Sequence, residues 1–163
     1  MRMQWQQLLS TERLGRGKEP SDARSHYQRD YDRIVFSSAF RRLQDKTQVF
    51  PLAESDYVRT RLTHSMEVSC VGRSLGTLVG SKVLEREKLG DVYPQEFGNI
   101  VAAACLAHDI GNPPLGHSGE EAIRAWFKGP GGSFLDGLSD QEAEDFRAFE
   151  GNAQGFRVLG RLQ

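Results

Sequence analysis

Hydrophobic and aromatic residues recur at steps of three and four positions along most of the chain, which is the spacing of amphipathic helices. The pattern predicts helices over residues 3–9, 26–44, 58–87, 96–108 and 120–127. A further helix begins at Ser139, where Glu142 completes a capping box, and its apolar spacing continues to Gln163 without a stop signal. We find no alternating strand longer than residues 47–52, so the sequence predicts an all-α helical bundle.

The longest predicted helix, residues 58–87, carries an apolar stripe. The stripe consists of His64, Val68, Val71, Leu75 and Leu78. Because the apolar stripe of a helix in a globular protein faces the core, we expect these side chains to point inward. The pattern therefore places a histidine on the inward face of this helix.

The length of the chain, 163 residues, suits one domain with its own hydrophobic core. We interpret residues 1–25 as an N-terminal helix and polar arm, and residues 26–163 as the helical domain. Since the last predicted helix has no stop signal, we expect this domain to be incomplete at its C-terminal end.

The composition, 38% hydrophobic and 26% charged with a net charge of -1, is typical of a globular protein. Such a charge argues against a dedicated nucleic-acid binder, although it is compatible with a local basic patch. Cys70 and Cys105 lie in apolar helical patterns, which favours a buried, reduced pair over a disulfide framework. The chain has no apolar run of membrane-spanning length and no signal-peptide core, so we expect a cytoplasmic protein.

An adjacent histidine and aspartate, His108 and Asp109, end an alanine-rich helical pattern. Gly111, Pro113 and Pro114 then stop the helix, because proline cannot continue it. The backbone can turn at a helix end, so the two side chains could reach one cation. An imidazole nitrogen beside a carboxylate oxygen suits Mn²⁺, Fe²⁺, Co²⁺, Zn²⁺ or Mg²⁺. The motif therefore indicates a metal site.

His64 and His108 both lie on predicted inward faces of neighbouring helices. Taken singly, each is more often a hydrogen-bonded core histidine than a ligand. Two such histidines next to Asp109 favour a metal, because a buried ionised carboxylate is costly unless it is paired or metal-bound. The spacing by itself leaves both interpretations open.

Four segments carry a resemblance to a known family. They are 40–50 (FRRLQDKTQVF), 59–65 (RTRLTHS), 108–120 (HDIGNPPLGHSGE) and the shorter 149–154 (FEGNAQ). The sequence around His64 and His108 resembles the HD superfamily of metal-dependent phosphohydrolases. Together the segments are similar to its bacterial deoxyguanosine triphosphate triphosphohydrolase branch. The resemblance covers roughly residues 8 to 160 and corresponds to the N-terminal part of those longer proteins.

The resemblance implies a metal site with three ligands from this chain: His64, His108 and Asp109. The fourth ligand of the family, a later aspartate, would lie beyond Gln163, so the activity of this chain alone is in question. Three other carboxylates are available but are expected in solvated or capping roles: Asp136, Asp140 and Asp145. We expect Mg²⁺ or Mn²⁺ as the metal, with Fe²⁺, Co²⁺ and Zn²⁺ as alternatives.

The resemblance also implies that His117 and Glu120 form the catalytic pair, one transferring a proton and the other orienting it. The alternative is a surface pair at a helix start, where a carboxylate is favoured by the helix dipole. Ser118 and Glu121 have the spacing of a capping box, which would leave Glu120 free for another role.

Two further positions match substrate contacts of the family: Arg61 for the phosphates and Gln48 for the deoxyribose. Arg59 is expected to be a solvated or structural charge. The activity implied is hydrolysis of dGTP, or of other deoxynucleoside triphosphates, to deoxynucleoside and tripolyphosphate.

Alternatives remain open: another HD phosphohydrolase, such as a nucleotidase or a broad deoxynucleotide hydrolase, or a catalytically silent fragment that binds nucleotide or DNA. The resemblance further implies a homo-oligomer, single-stranded DNA as an effector, and no membrane partner.

Overall fold

The computed structural model describes residues 3–12, 23–46 and 59–162. The α-helices are α1 (Trp5–Leu8), α2 (His26–Phe36), α3 (Ser38–Arg41), α4 (Arg61–Glu87), α5 (Pro94–Ala107), α6 (His117–Lys128), α7 (Asp140–Arg147) and α8 (Gly151–Arg157). Short 3-10 turns at Arg42–Asp45 and Gly132–Leu135 and a π-helical turn at Val158–Leu162 join them. No β-strand occurs in the described ranges, which confirms the all-α prediction.

The centre of the fold is the hairpin of α4 and α5, which share the most extensive packing of the described elements. The helices run antiparallel, since Gly80 lies against Phe97 and Gly72 lies against Cys105. This topology brings the beginning of α4 next to the end of α5. Helix α2 packs against α5 and closes one side of the hairpin.

Mostly glycine and serine, rather than the predicted apolar stripe, form the buried face of α4. That face consists of Arg61, Ser65, Ser69, Gly72, Gly76, Gly80 and Val83. Val71, Leu75 and Leu78 were expected to point inward but are 60%, 56% and 59% exposed. The prediction is wrong at these three positions, while His64 and Val68 are half-buried.

The close approach of the two helix backbones explains this difference. A Cβ at Gly76 would lie 2.7 Å from the carbonyl oxygen of Phe97 and 3.0 Å from Cα of Gly98, both backbone atoms. Ser69 Oγ donates to the carbonyl oxygen of Ala102 at 3.1 Å. A contact this tight excludes large side chains, and a helical pattern of glycine and serine carries no hydrophobic signal.

A compact apolar cluster lies beside the end of α5. It consists of Phe40, Leu43, Leu106 and Ile110, all buried. Leu106 and Ile110 flank His108 and Asp109 in the chain, so burial of the cluster anchors the loop that carries these two residues.

The predicted helix 26–44 is interrupted at Ser37. The Ser37 hydroxyl accepts a hydrogen bond from the Phe40 amide at 3.1 Å and starts α3. The predicted helix 58–87 begins at Arg61, because the Thr60 side chain caps it by accepting from the Thr63 amide. Residues 47–58, which include the 47–52 segment and Gln48, lie outside the described residues.

The last predicted helix does not run without a break. It begins at the expected capping box of Ser139 and Glu142, but α7 ends at Arg147. Glu150 then caps α8 by accepting a hydrogen bond from the Ala153 amide at 2.7 Å. The prediction of one continuous helix is wrong, because α7 ends at Arg147 and this second cap starts a separate helix.

Two smaller predictions are also wrong. Helix α6 begins at His117 after Gly116, so Ser118 lies inside the helix and forms no capping box with Glu121. Cys70 and Cys105 are free thiols, as expected, but Cys70 is exposed and Cys105 is only half-buried. Burial raises the pKa of the Cys105 thiol.

None of the described helices combines the length and hydrophobicity needed to cross a membrane.

Candidate metal centre and acid–base pair

The hairpin brings His64, His108 and Asp109 together. His64 lies in the first turn of α4, and the other two residues follow the last residue of α5. Each side chain offers one ligand atom, and these atoms all lie within 4.8 Å of one another. The rings of the two histidines are in contact, with centroids 5.4 Å apart. The packing of α4 against α5 therefore brings the three side chains of the cluster together.

A backbone contact orients the imidazole of His108. Its Nδ1 lies 2.7 Å from the carbonyl oxygen of Cys105. Because a carbonyl oxygen only accepts hydrogen bonds, Nδ1 carries the proton in this contact and Nε2 is the basic nitrogen. Nε2 lies 3.5 Å from Oδ2 of Asp109, on the side where a metal would bind. A hydrogen bond from the ring nitrogen that does not bind the metal, here Nδ1, to a backbone carbonyl is typical of metal-binding histidines.

The two oxygens of Asp109 have different surroundings. Oδ1 accepts hydrogen bonds from NH1 of Arg61, at 2.8 Å, and from Nδ2 of Asn112. Oδ2 is buried and has no hydrogen-bond partner among the described residues. A buried carboxylate oxygen without a partner is costly, and a cation would remove that cost. This oxygen and the donor set of two imidazoles and a carboxylate fit a divalent metal.

Arg61 is buried at the start of α4, with a side chain only 11% exposed. Its guanidinium lies beside Gly116, where a Cβ would be 2.6 Å from NH2 and where φ is +56°. Its Nε has no hydrogen-bond partner among the described residues. The residue predicted to contact phosphates thus pairs with Asp109 in this structure. Its phosphate role stays a prediction.

Lys46 and Asn112 border the same site and were missed by the sequence analysis. Lys46 Nζ donates to the carbonyl oxygen of Asn112 at 2.7 Å, and the carbonyl oxygen of Lys46 accepts from the Arg61 amide at 2.9 Å. Burial, together with the nearby Arg61 guanidinium, lowers the pKa of Lys46, and the Asp109 carboxylate opposes this. Both residues lie within segments that carried the family resemblance, which was the available signal.

His117 and Glu120 form a hydrogen-bonded pair at the beginning of α6. Nδ1 of His117 lies 3.0 Å from Oε2 of Glu120. The histidine side chain is 91% exposed, whereas that of the glutamate is 5% exposed. Glu120 Oε1 accepts from the Gly151 amide at 2.8 Å, and Arg124 NH1 lies 3.9 Å from Oε2. The pair combines a fixed, buried carboxylate with an accessible imidazole.

The hydrogen bond from His117 is the main cause that lowers the pKa of Glu120. Burial acts in the opposite direction, and the Gly151 amide and the Arg124 charge reinforce the lowering. Glu120 therefore stays ionised and holds the proton of His117 on Nδ1, so that Nε2 is the nitrogen that can exchange a proton with a bound molecule.

The remaining candidates lie outside these two groups. Arg59 is exposed, with Nε 3.6 Å from Glu67, as expected for a surface charge. Asp136, Asp140 and Asp145 are exposed, and the metal-binding group in the described part of the chain contains none of them. Gln48 is among the residues that the structure does not describe.

The described part of the chain is an all-α fold that carries a candidate metal centre of two histidines and one aspartate. The HD domain family model matches residues 61–146, which include this cluster and the His117–Glu120 pair. The chain belongs to the HD domain family.

The chain is also similar to curated proteins of the predicted branch. A deoxyguanosinetriphosphate triphosphohydrolase-like protein of Synechocystis is 55% identical over 168 residues, covering 98% of this chain and 38% of the relative. One from Pseudomonas aeruginosa (strain LESB58) is 57% identical over 164 residues, covering 99% and 37%. A deoxyguanosinetriphosphate triphosphohydrolase of Klebsiella pneumoniae (strain 342) is 42% identical, covering 83% and 33%.

These relatives confirm the resemblance drawn from the four segments. The chain spans less than two fifths of the length of these curated relatives.

Proposed function

We propose that the chain forms the metal-binding and proton-transfer part of a phosphohydrolase that converts dGTP to deoxyguanosine and tripolyphosphate. The observation that carries the proposal is the His64–His108–Asp109 cluster together with the His117–Glu120 pair on one HD domain. The names of the relatives support dGTP as the substrate, since the Klebsiella pneumoniae protein is named as a triphosphohydrolase of this nucleotide.

His64, His108 and Asp109 would hold the metal, which we propose to be Mg²⁺ or Mn²⁺. When bound, a divalent ion polarises a phosphoryl oxygen and lowers the pKa of a coordinated water. Asp109 would contribute the charged ligand. The Cys105 carbonyl fixes the His108 ring so that its Nε2 lies beside Oδ2 of Asp109. Two imidazole nitrogens and one carboxylate oxygen would be the donors that hold the ion.

In the proposed reaction, water forms a bond to the α-phosphorus and the bond from phosphorus to the 5′-oxygen breaks. The attacking water loses a proton and the 5′-oxygen gains one, so a group that exchanges protons is needed. His117 can serve because its side chain is exposed while Nδ1 is held by Glu120. Glu120 orients the ring through this hydrogen bond and stays ionised, because its pKa is lowered.

Two cationic side chains lie close to the proposed metal ligands. Arg61 donates to Asp109, and Lys46 donates to the carbonyl oxygen of Asn112. A guanidinium can bind two phosphate oxygens at once, which agrees with the phosphate role predicted for Arg61. We propose that Gln48 reads the deoxyribose.

The test is the identity of the products. The phosphohydrolase of which we propose this chain to be a part is incubated with dGTP and Mn²⁺, and the reaction is resolved by ion-exchange chromatography. Deoxyguanosine with tripolyphosphate is expected, and the His117→Ala variant should lose turnover while keeping its metal. Release of dGMP with pyrophosphate, or of dGDP with phosphate, would contradict the proposal. The same assay with dATP, dCTP and dTTP separates a dGTP enzyme from a broad deoxynucleotide hydrolase.

A further inference from the structure

Asn112 lies between the candidate metal centre and the acid–base pair. Its side-chain Nδ2 donates to Oδ1 of Asp109, and its backbone amide donates to the carbonyl oxygen of Asp109 at 3.2 Å. Its own carbonyl oxygen accepts from Lys46 Nζ at 2.7 Å. These contacts fix both the backbone and the side chain of Asn112.

The other end of the Asn112 amide faces Gly151 at the start of α8. A Cβ at Gly151 would lie 2.2 Å from Oδ1 of Asn112 and 2.7 Å from Oε1 of Glu120. The Gly151 amide donates to that same Glu120 oxygen at 2.8 Å. One glycine therefore packs against the Asn112 amide and also donates a hydrogen bond to the Glu120 carboxylate.

We propose that Asn112 is a positioning residue for the metal centre, holding Oδ1 of Asp109 so that Oδ2 is the oxygen presented to the metal. This inference rests on the proposed function, in which Asp109 is a ligand. The packing of Asn112 against Gly151 extends its role, because it fixes the metal ligand relative to the Glu120 carboxylate.

The hydrogen-bond capacity of the Asp109 carboxylate supports the proposal. Oδ1 accepts from Arg61 and from Asn112, which approach from different elements and oppose rotation of the carboxylate. Without Asn112, only the hydrogen bond from Arg61 would hold this oxygen. Asn112 adds a neutral donor, so it fixes the carboxylate without adding a second positive charge that would repel a divalent ion. Loss of such an outer contact typically costs 10–100-fold in metal affinity.

The first experiment measures metal binding rather than turnover. Isothermal titration calorimetry with Mn²⁺ is performed on the wild type, Asn112→Ala and Asn112→Ser, whose hydroxyl is too short to replace the amide. We expect the affinity of both variants to fall about 10–100-fold. The matched control is Asn152→Ala, which removes an exposed asparagine that bonds Glu150, and its affinity should equal that of the wild type. Circular dichroism and thermal melting in EDTA check that each variant is folded before its metal affinity is measured.

A second measurement needs no variant. The side-chain amide signals of asparagines are followed by ¹⁵N NMR of the wild type during titration with Mg²⁺. The Asn112 amide should shift, because its acceptor is the carboxylate of a metal ligand, while the Asn152 amide should not move. Folded Asn112 variants with wild-type Mn²⁺ affinity, or an unmoved Asn112 signal in a protein that binds Mg²⁺, would overturn the proposal. Neither outcome would affect the proposed function, which the reaction products and the His117→Ala variant test separately.

Discussion

The guanidinium of Arg61 donates to the carboxylate of Asp109 across 2.8 Å, joining the first turn of α4 to the residue pair that follows α5. Both side chains are nearly buried, 11% and 6% exposed. The protein thus supplies a cation of its own to the carboxylate that we propose as a metal ligand. The stability of the metal-free chain should therefore depend on Arg61.

Replacing Arg61 with methionine should destabilise the metal-free protein by about 3–5 kcal/mol, because a buried carboxylate loses its charged partner. Urea unfolding in EDTA measures this change. Added Mn²⁺ should restore part of the loss, since a ligand that binds the folded state stabilises it by mass action.

The control for this prediction is Arg59→Ala, two residues earlier. Arg59 is exposed and reaches Glu67 only at 3.6 Å, so its loss should change stability by less than about 0.5 kcal/mol. Equal losses at the two positions would mean that burial of the pair does not matter. If Mn²⁺ does not restore any of the stability lost in the Arg61 variant, Asp109 would not be a ligand of the bound metal.

Replacing His108 with alanine should weaken metal binding by more than about tenfold, because the imidazole is a direct ligand in the proposed site. Elemental analysis after equilibration with Mn²⁺ and desalting gives the bound metal per chain. The control is His117→Ala, which removes an exposed histidine of the neighbouring pair and should keep the wild-type content. An unchanged metal content in the His108 variant would remove this residue from the site.

The helices of this fold could be predicted from periodicity, but their faces and breaks could not. Glycine and serine at Gly76 and Ser69 form the contact between α4 and α5, and neither residue type contributes to a hydrophobic pattern. The breaks at Ser37 and before Glu150 depend on side chains that accept backbone hydrogen bonds, which apolar spacing alone does not reveal.

The site could be predicted where its residues lie close in sequence or in segments of family resemblance. Both criteria identified His108 and Asp109. The role that we propose for Asn112 could not be predicted from the sequence, because it depends on contacts with Lys46 and Gly151 from distant segments. A residue that positions another residue can be recognised from its tertiary contacts, which a hydrophobic pattern does not contain.

Replacing Gly76 with alanine should destabilise the protein by about 1–3 kcal/mol, although alanine is the better helix former by about 1 kcal/mol. The added methyl group would meet the Phe97 carbonyl oxygen at 2.7 Å, and a backbone atom cannot move aside cheaply. Thermal and urea unfolding measure the change. The control is Gly90→Ala, where a Cβ meets nothing within 4 Å, so stability should stay the same or rise slightly. Similar effects at both positions would argue against a tight contact between α4 and α5.

The last prediction concerns the acid limb of stability. The hydrogen bond from His117 is the first cause that lowers the pKa of Glu120 below its ordinary value of 4.5, against the opposing effect of burial. A carboxylate with a lowered folded-state pKa stabilises the folded protein fully above its unfolded pKa. That contribution is lost as the pH falls through the folded-state pKa. The wild type should therefore lose its stability advantage over Glu120→Gln as the pH decreases below 4.5.

Urea unfolding of both proteins between about pH 6 and pH 3 measures this difference, and other carboxylates cancel because they titrate in both. A second pair, His117→Ala with and without Glu120→Gln, removes the main cause of the lowered pKa. The pH-dependent part of the difference should be smaller in that pair. If both pairs show the same pH dependence, His117 does not control the ionisation of Glu120, and its orientation by the carboxylate loses its electrostatic basis.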